Sequence, residues 1–109
     1  MGLVSGQLKK SGFEAACRSA FSISISAQPD KDAIGVELTL RELQSRTAPA
    51  GYEQYSLIFQ GPLQPALPQA IYRFSHECLG EMDLFMVPIG SNAQGIQYEV
   101  CVLRLTENG

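Results

Sequence analysis

The sequence predicts an all-β domain, a six-stranded antiparallel small barrel with one short N-terminal helix. Three observations predict it. Stretches such as "AFSISISA" alternate apolar and polar residues with period two, the spacing that sends successive side chains to opposite faces of a strand. Clusters rich in proline, glycine, aspartate and asparagine separate these stretches at short intervals. Finally, only one segment, near the N-terminus, favours a helix.

The chain has 109 residues, the size of one domain with one core. Residues 1–11 are expected to form a flexible arm, residues 12–105 the β domain and residues 106–109 a tail. Within "GFEAACRSA", Phe13, Ala16 and Cys17 share a helical face of one or two turns. That length does not stand alone in water, so the helix is expected to plug an open end of the sheet.

The strands follow in order. Phe21, Ile23 and Ile25 share one face of "AFSISISA" and Ser22, Ser24 and Ser26 the other. "QPDKDA" supplies a turn, and "IGVELTLREL" sets Ile34, Val36, Leu38 and Leu40 against Glu37, Thr39 and Arg41, so these two strands form a hairpin. After the loop "QSRTAPAG", the strand "YEQYSLIFQ" places Tyr55, Leu57 and Phe59 on one face. "GPLQPALPQ" carries three prolines in nine residues. Proline has no N–H for a ladder, so this stretch is a surface connection. The strands "AIYRFSH" and "EMDLFMVPI" flank "ECLG", and "GSNAQG" turns the chain into "IQYEVCVLRL", where Ile96, Tyr98, Val100 and Val102 alternate with Gln97, Glu99 and Cys101.

Six such strands bury their apolar faces by closing into a barrel or by stacking as a two-layer sandwich. Apolar residues on both faces of 82–89 favour the barrel, with the sandwich as the alternative. Tyr52, Tyr55, Phe59, Tyr72, Phe74, Phe85 and Tyr98 are expected to fill its interior, as side chains do in small barrels.

Composition excludes several classes of function. Eight basic and eleven acidic residues give a net charge of -3, with no run of Lys or Arg beyond Lys9-Lys10, which speaks against nucleic acid as a partner. With 45% hydrophobic and 17% charged residues, the chain is neither disordered nor membrane-embedded by composition. Cys17, Cys78 and Cys101 show no C-x-x-C pairing, and the N-terminus lacks the apolar run of a signal peptide. Reduced thiols in the cytoplasm are the expectation.

His76, Glu77 and Cys78 hold residue types that a hydrolase or a metal site needs. Sequence adjacency supplies neither the nucleophile–base geometry nor the three or four ligands that zinc takes. His76 follows Tyr72 and Phe74 on the core face of its strand and is read as a hydrogen-bonded histidine shaping the turn. Glu81 and Asp83 share a strand face, within reach of Arg73 on the neighbouring strand. No phosphate-binding glycine motif and no nucleophile elbow occurs. No catalytic residue, metal ligand or cofactor is therefore assigned.

The leading expectation is a non-enzymatic structural or protein-interaction module, contacting another protein or a second copy of itself through Pro62, Leu63, Pro65, Leu67 and Pro68. Leu63 and Leu67 are expected to be exposed on this proline-stiffened loop. The alternative is a small-ligand-binding domain or enzyme that uses the barrel mouth around His76, Cys78 and Glu81.

The runs "YSLIFQGP", "LPQAIYRFSHECLGEMDLFMVPIG" and "GIQYEV" resemble an uncharacterised family of small bacterial domains. That family shares an F-S-L-x-F-x-G-P strand, an L-P-Q-G-x-Y stretch, an H-x-x-L-G turn, an L-F-L-V-P-V strand and a final Y-E strand. The similarity spans about residues 52–104 and departs from the pattern at Ala70, where glycine is usual. The resemblance implies a compact β domain in bacteria, sometimes encoded near phage-tail-collar-like proteins, with no assigned reaction. The family's recurrent His and Leu-Gly fall on His76, Leu79 and Gly80, where a glycine takes positive φ without penalty.

Overall fold

The computed structural model describes residues 10–25 and 34–105. The turn expected at "QPDKDA", most of the N-terminal arm and the C-terminal tail lie outside the described residues. One short helix, α1 (Lys10–Ala15), precedes six strands: β1 (Ala20–Ile25), β2 (Ile34–Arg46), β3 (Tyr52–Gly61), β4 (Ala70–His76), β5 (Gly80–Asn92) and β6 (Gly95–Leu105). The helix begins at Lys10, two residues inside the expected arm.

All pairings are antiparallel and the strands close on themselves in the order β1-β2-β3-β6-β5-β4. β1 makes the closure: Ile23 pairs with Val36 of β2 on one side and with Phe74 of β4 on the other. A two-layer sandwich lacks that last pairing, so the ring is the arrangement the chain adopts.

Period-two alternation determines what the ring encloses. Phe21, Ile23, Val36, Leu38, Leu40, Tyr55, Leu57, Phe59, Phe74, Met82, Leu84, Met86, Tyr98, Val100 and Val102 are buried and form one continuous core. Each such side chain contributes about 1.5–3 kcal/mol when removed from water. Their aromatic rings pack edge to face or tilted, Phe21 against Phe59 with centroids 5.2 Å apart and Phe59 against Phe74 at 5.2 Å.

Both ends of the ring are covered. At one end, α1 inserts Phe13, fully buried, between Phe21 and Tyr55, with ring centroids 6.3 and 6.0 Å away. The helix thus borrows its stability from the strands it caps, as its length requires. At the other end the loop after β3 lays Leu67 into the core, and the Leu67 N–H donates to the Tyr98 hydroxyl at 3.1 Å.

Several strand limits differ from the sequence expectation. β2 continues to Arg46 through a register shift between Leu40 and Glu42 against β3. The extra residue at this bulge reverses the alternation, so Leu43 rather than residue 42 turns toward the core. β5 likewise runs past Pro88 through a second shift to Asn92, so "GSNAQG" is mostly strand, and only Ala93 and Gln94 form the turn. There the Gln94 N–H donates to Oδ1 of Asn92 at 2.8 Å, an Asx turn. Gly95 closes this hairpin with φ of 148°, directly against the carbonyl oxygen of Gly61, where no side chain has room.

Candidate functional site

His76 is the last residue of β4, and strand alternation turns it inward behind Tyr72 and Phe74. It is buried, 9% exposed, with its ring 4.5 Å from that of Phe21. The tight turn that follows brings two backbone N–H groups back onto the imidazole. Those of Cys78 and Leu79 donate to Nδ1 at 3.0 and 3.2 Å. Gly80 ends the turn with φ of 79°, a conformation open to glycine, as the sequence suggested.

Because Nδ1 accepts, the neutral ring carries its proton on Nε2. Nε2–H donates to the Ser19 hydroxyl at 2.8 Å, and that hydroxyl donates in turn to the Ala16 carbonyl. The chain of bonds ties the β4–β5 turn to the end of α1 and the start of β1. Both imidazole nitrogens are consumed by it.

Cys78 and Glu81 do not share that interior position. Cys78 is exposed, and among the described residues no hydrogen bond joins its thiol to the imidazole. Glu81 begins the outward face of β5, where it and Asp83 both pair with Arg73 of β4, at 3.3 and 2.5 Å. The Arg73 hydrogen bond holds the Asp83 carboxyl below its usual range, and Asp83 in turn raises the Arg73 guanidinium. Exposed pairs of this kind contribute little to stability. Among the described residues no group of three or more His, Cys, Asp or Glu is placed to hold a metal ion.

The loop from Pro62 to Pro68 divides into two parts. Pro62, Leu63, Pro65 and Pro68 are exposed, with Leu63 at 52%. Leu67 is not exposed as expected; it is 5% accessible and belongs to the core. Two tyrosine hydroxyls hold it there: Tyr98 accepts from the Leu67 N–H, and Tyr72 donates to the Pro68 carbonyl at 2.6 Å. A surface loop leaves its polar backbone to water, whereas this one lies across the end of the ring with its backbone paired to the interior.

The outer face of the strands carries two of the aromatic residues expected inside. Tyr52 and Phe85 are 43% and 51% exposed and do not fill the interior. Phe85 lies opposite Ile71, which is 69% exposed, as a direct cross-strand pair between β4 and β5. Ile89, the extra residue at the second register shift of β5, is also exposed, at 52%. The phase of the alternation was the available signal: with Tyr72 and Phe74 inside, Ile71 must point out, and with Leu84 and Met86 inside, so must Phe85.

No match was found among curated proteins or solved structures. The sequence pattern of one domain family matches residues 8–102, nearly the whole chain, and the protein therefore belongs to that family, the domain of unknown function DUF6916.

Proposed function

We propose that this domain is a non-enzymatic protein-interaction module whose contact face is the outer side of β4 and β5 together with the exposed tip of the proline loop. The observation that carries this reading is the Ile71–Phe85 pair, two large apolar side chains set side by side in water, each more than half exposed. A scattered surface leucine needs no explanation, but adjacent apolar residues on a rigid strand pair are characteristic of contact surfaces. Ile89 and Leu63 add to the exposed apolar area. The rival use of His76, Cys78 and Glu81 as a ligand site is less well supported, because both imidazole nitrogens are committed to the turn and to Ser19.

Three free thiols fit a reducing compartment, and we place the module in the bacterial cytoplasm. The phage-tail-related setting rests on the family resemblance alone. Light scattering coupled to size exclusion tests the contact face. The wild-type protein should self-associate as concentration rises into the tens of micromolar, roughly the range for a weak interface. The double variant I71S/F85S should remain monomeric with an unaltered circular dichroism spectrum. Self-association that survives the double substitution would sink this surface as the contact.

A further inference from the structure

The chain has five arginines, all within the described residues. Three are matched with carboxylates: Arg46 with Glu99, Arg73 with Glu81 and Asp83, and Arg104 with Glu53. The other two, Arg18 and Arg41, make no ion pair or side-chain hydrogen bond among the described residues. These same two arginines line one cavity of about 390 Å³, and Thr39 is the third described residue in its wall.

Both reach it through departures from regular backbone. Arg18 follows the turn after α1 with φ of 73°, a left-handed position where glycine is the usual residue. Its N–H donates to the Leu40 carbonyl at 2.6 Å, and the Leu40 N–H donates to the Ser19 carbonyl at 3.1 Å, which fixes Arg18 alongside β2. Arg41 is the extra residue of the β2 bulge, between Leu40 and Glu42. Bulges re-aim side chains, and a non-glycine residue in the left-handed region persists only where its surroundings enforce it.

From this convergence we propose that the Arg18–Thr39–Arg41 cavity is an oxyanion site that takes the phosphate group of a small molecule. Each guanidinium presents a planar fork of N–H donors, and the threonine adds a hydroxyl. Two forks and a hydroxyl offer more donors than the two oxygens of a carboxylate use, and two positive charges match a phosphate dianion. The site lies apart from the Ile71–Phe85 face and does not depend on it.

Two-dimensional amide NMR of the full chain tests this, with sodium phosphate as the probe, sodium acetate as the carboxylate probe and ionic strength held constant with sodium chloride. Phosphate should shift the amides of Arg18, Thr39 and Arg41 in a saturable manner, and acetate at the same concentration should not. R41Q and R18G, the latter chosen because glycine keeps the left-handed backbone, should each weaken phosphate binding by about tenfold, the usual effect of removing one charge-assisted partner. Unchanged spectra elsewhere in each variant establish that the fold is intact. Equal shifts with acetate, shifts that fail to saturate, or phosphate affinity unaltered in R41Q and R18G would each overturn the proposal.

Discussion

The Nε2 of His76 lies 2.8 Å from the hydroxyl of Ser19, 57 positions earlier in the chain. This single contact joins the turn after β4 to the segment between α1 and β1, and the Nδ1 side of the same ring anchors the turn itself. The histidine is thus a brace with three donors or acceptors engaged.

Replacing His76 with alanine strands two backbone N–H groups and takes away the donor to the Ser19 hydroxyl, which keeps its own bond to the Ala16 carbonyl. We expect a loss of about 2–4 kcal/mol, since each buried polar group left unpaired costs about 1–3 kcal/mol and water recovers part of it. S19A should cost about 1–3 kcal/mol, since it removes the bonds to His76 and to the Ala16 carbonyl and leaves the buried Nε2–H without an acceptor. Urea denaturation of both single variants and the double variant should give a coupling energy of at least about 0.5 kcal/mol, as residues in one network do. Additive effects would mean that the two side chains do not act through each other.

Leu67 and Leu63 sit four residues apart on the proline loop and should behave in opposite ways. L67A removes a core side chain and should lower stability by about 2–4 kcal/mol, in the range of buried leucine truncations. L63S, at an exposed site, should leave stability within about 0.5 kcal/mol of wild type. Denaturant midpoints compared at one pH check both, and equal midpoints for the two variants would contradict the placement of Leu67 in the core.

Tyr55 governs part of the response to alkali. Its phenol is raised well above the ordinary tyrosine range, first by burial and then by Glu53, with Arg104 pulling the other way; Tyr72 is raised by burial and by Tyr98. The folded state therefore holds these protons more tightly than the unfolded chain, whose tyrosines titrate near pH ~10. Their contribution is fully present below that value and is lost as pH rises through it toward the folded-state values. Unfolding free energy measured between about pH 8 and pH 11 should fall with pH, and Y55F should flatten that slope. A slope unchanged in Y55F would show that Tyr55 does not carry the effect.

Much of this fold is legible in the order of the residues. Tyr55, Leu57 and Phe59 are all fully buried, as their alternation required, and the same rule places Phe21 with Ile23 and Tyr98 with Val100 and Val102. Pairing of β1 with β2 and the positive φ of Gly80 also follow from local pattern, because a strand face and a tight turn are each specified by a few consecutive residues. His76 could be assigned to the core face by counting from Phe74.

What the sequence alone determined, then, was the number of strands, the inward face along their regular stretches and the family to which the chain belongs. Tertiary structure decided the rest. Closure through β1 and β4, the partner of His76, the burial of Leu67 and the meeting of Arg18 with Arg41 all join residues distant in the chain. Alternation reports only whether a side chain points in or out. It is silent on which strand edge finds which, and on how a bulge at Arg41 or a tyrosine hydroxyl above a proline loop redirects a neighbour, because those outcomes depend on packing the whole ring at once.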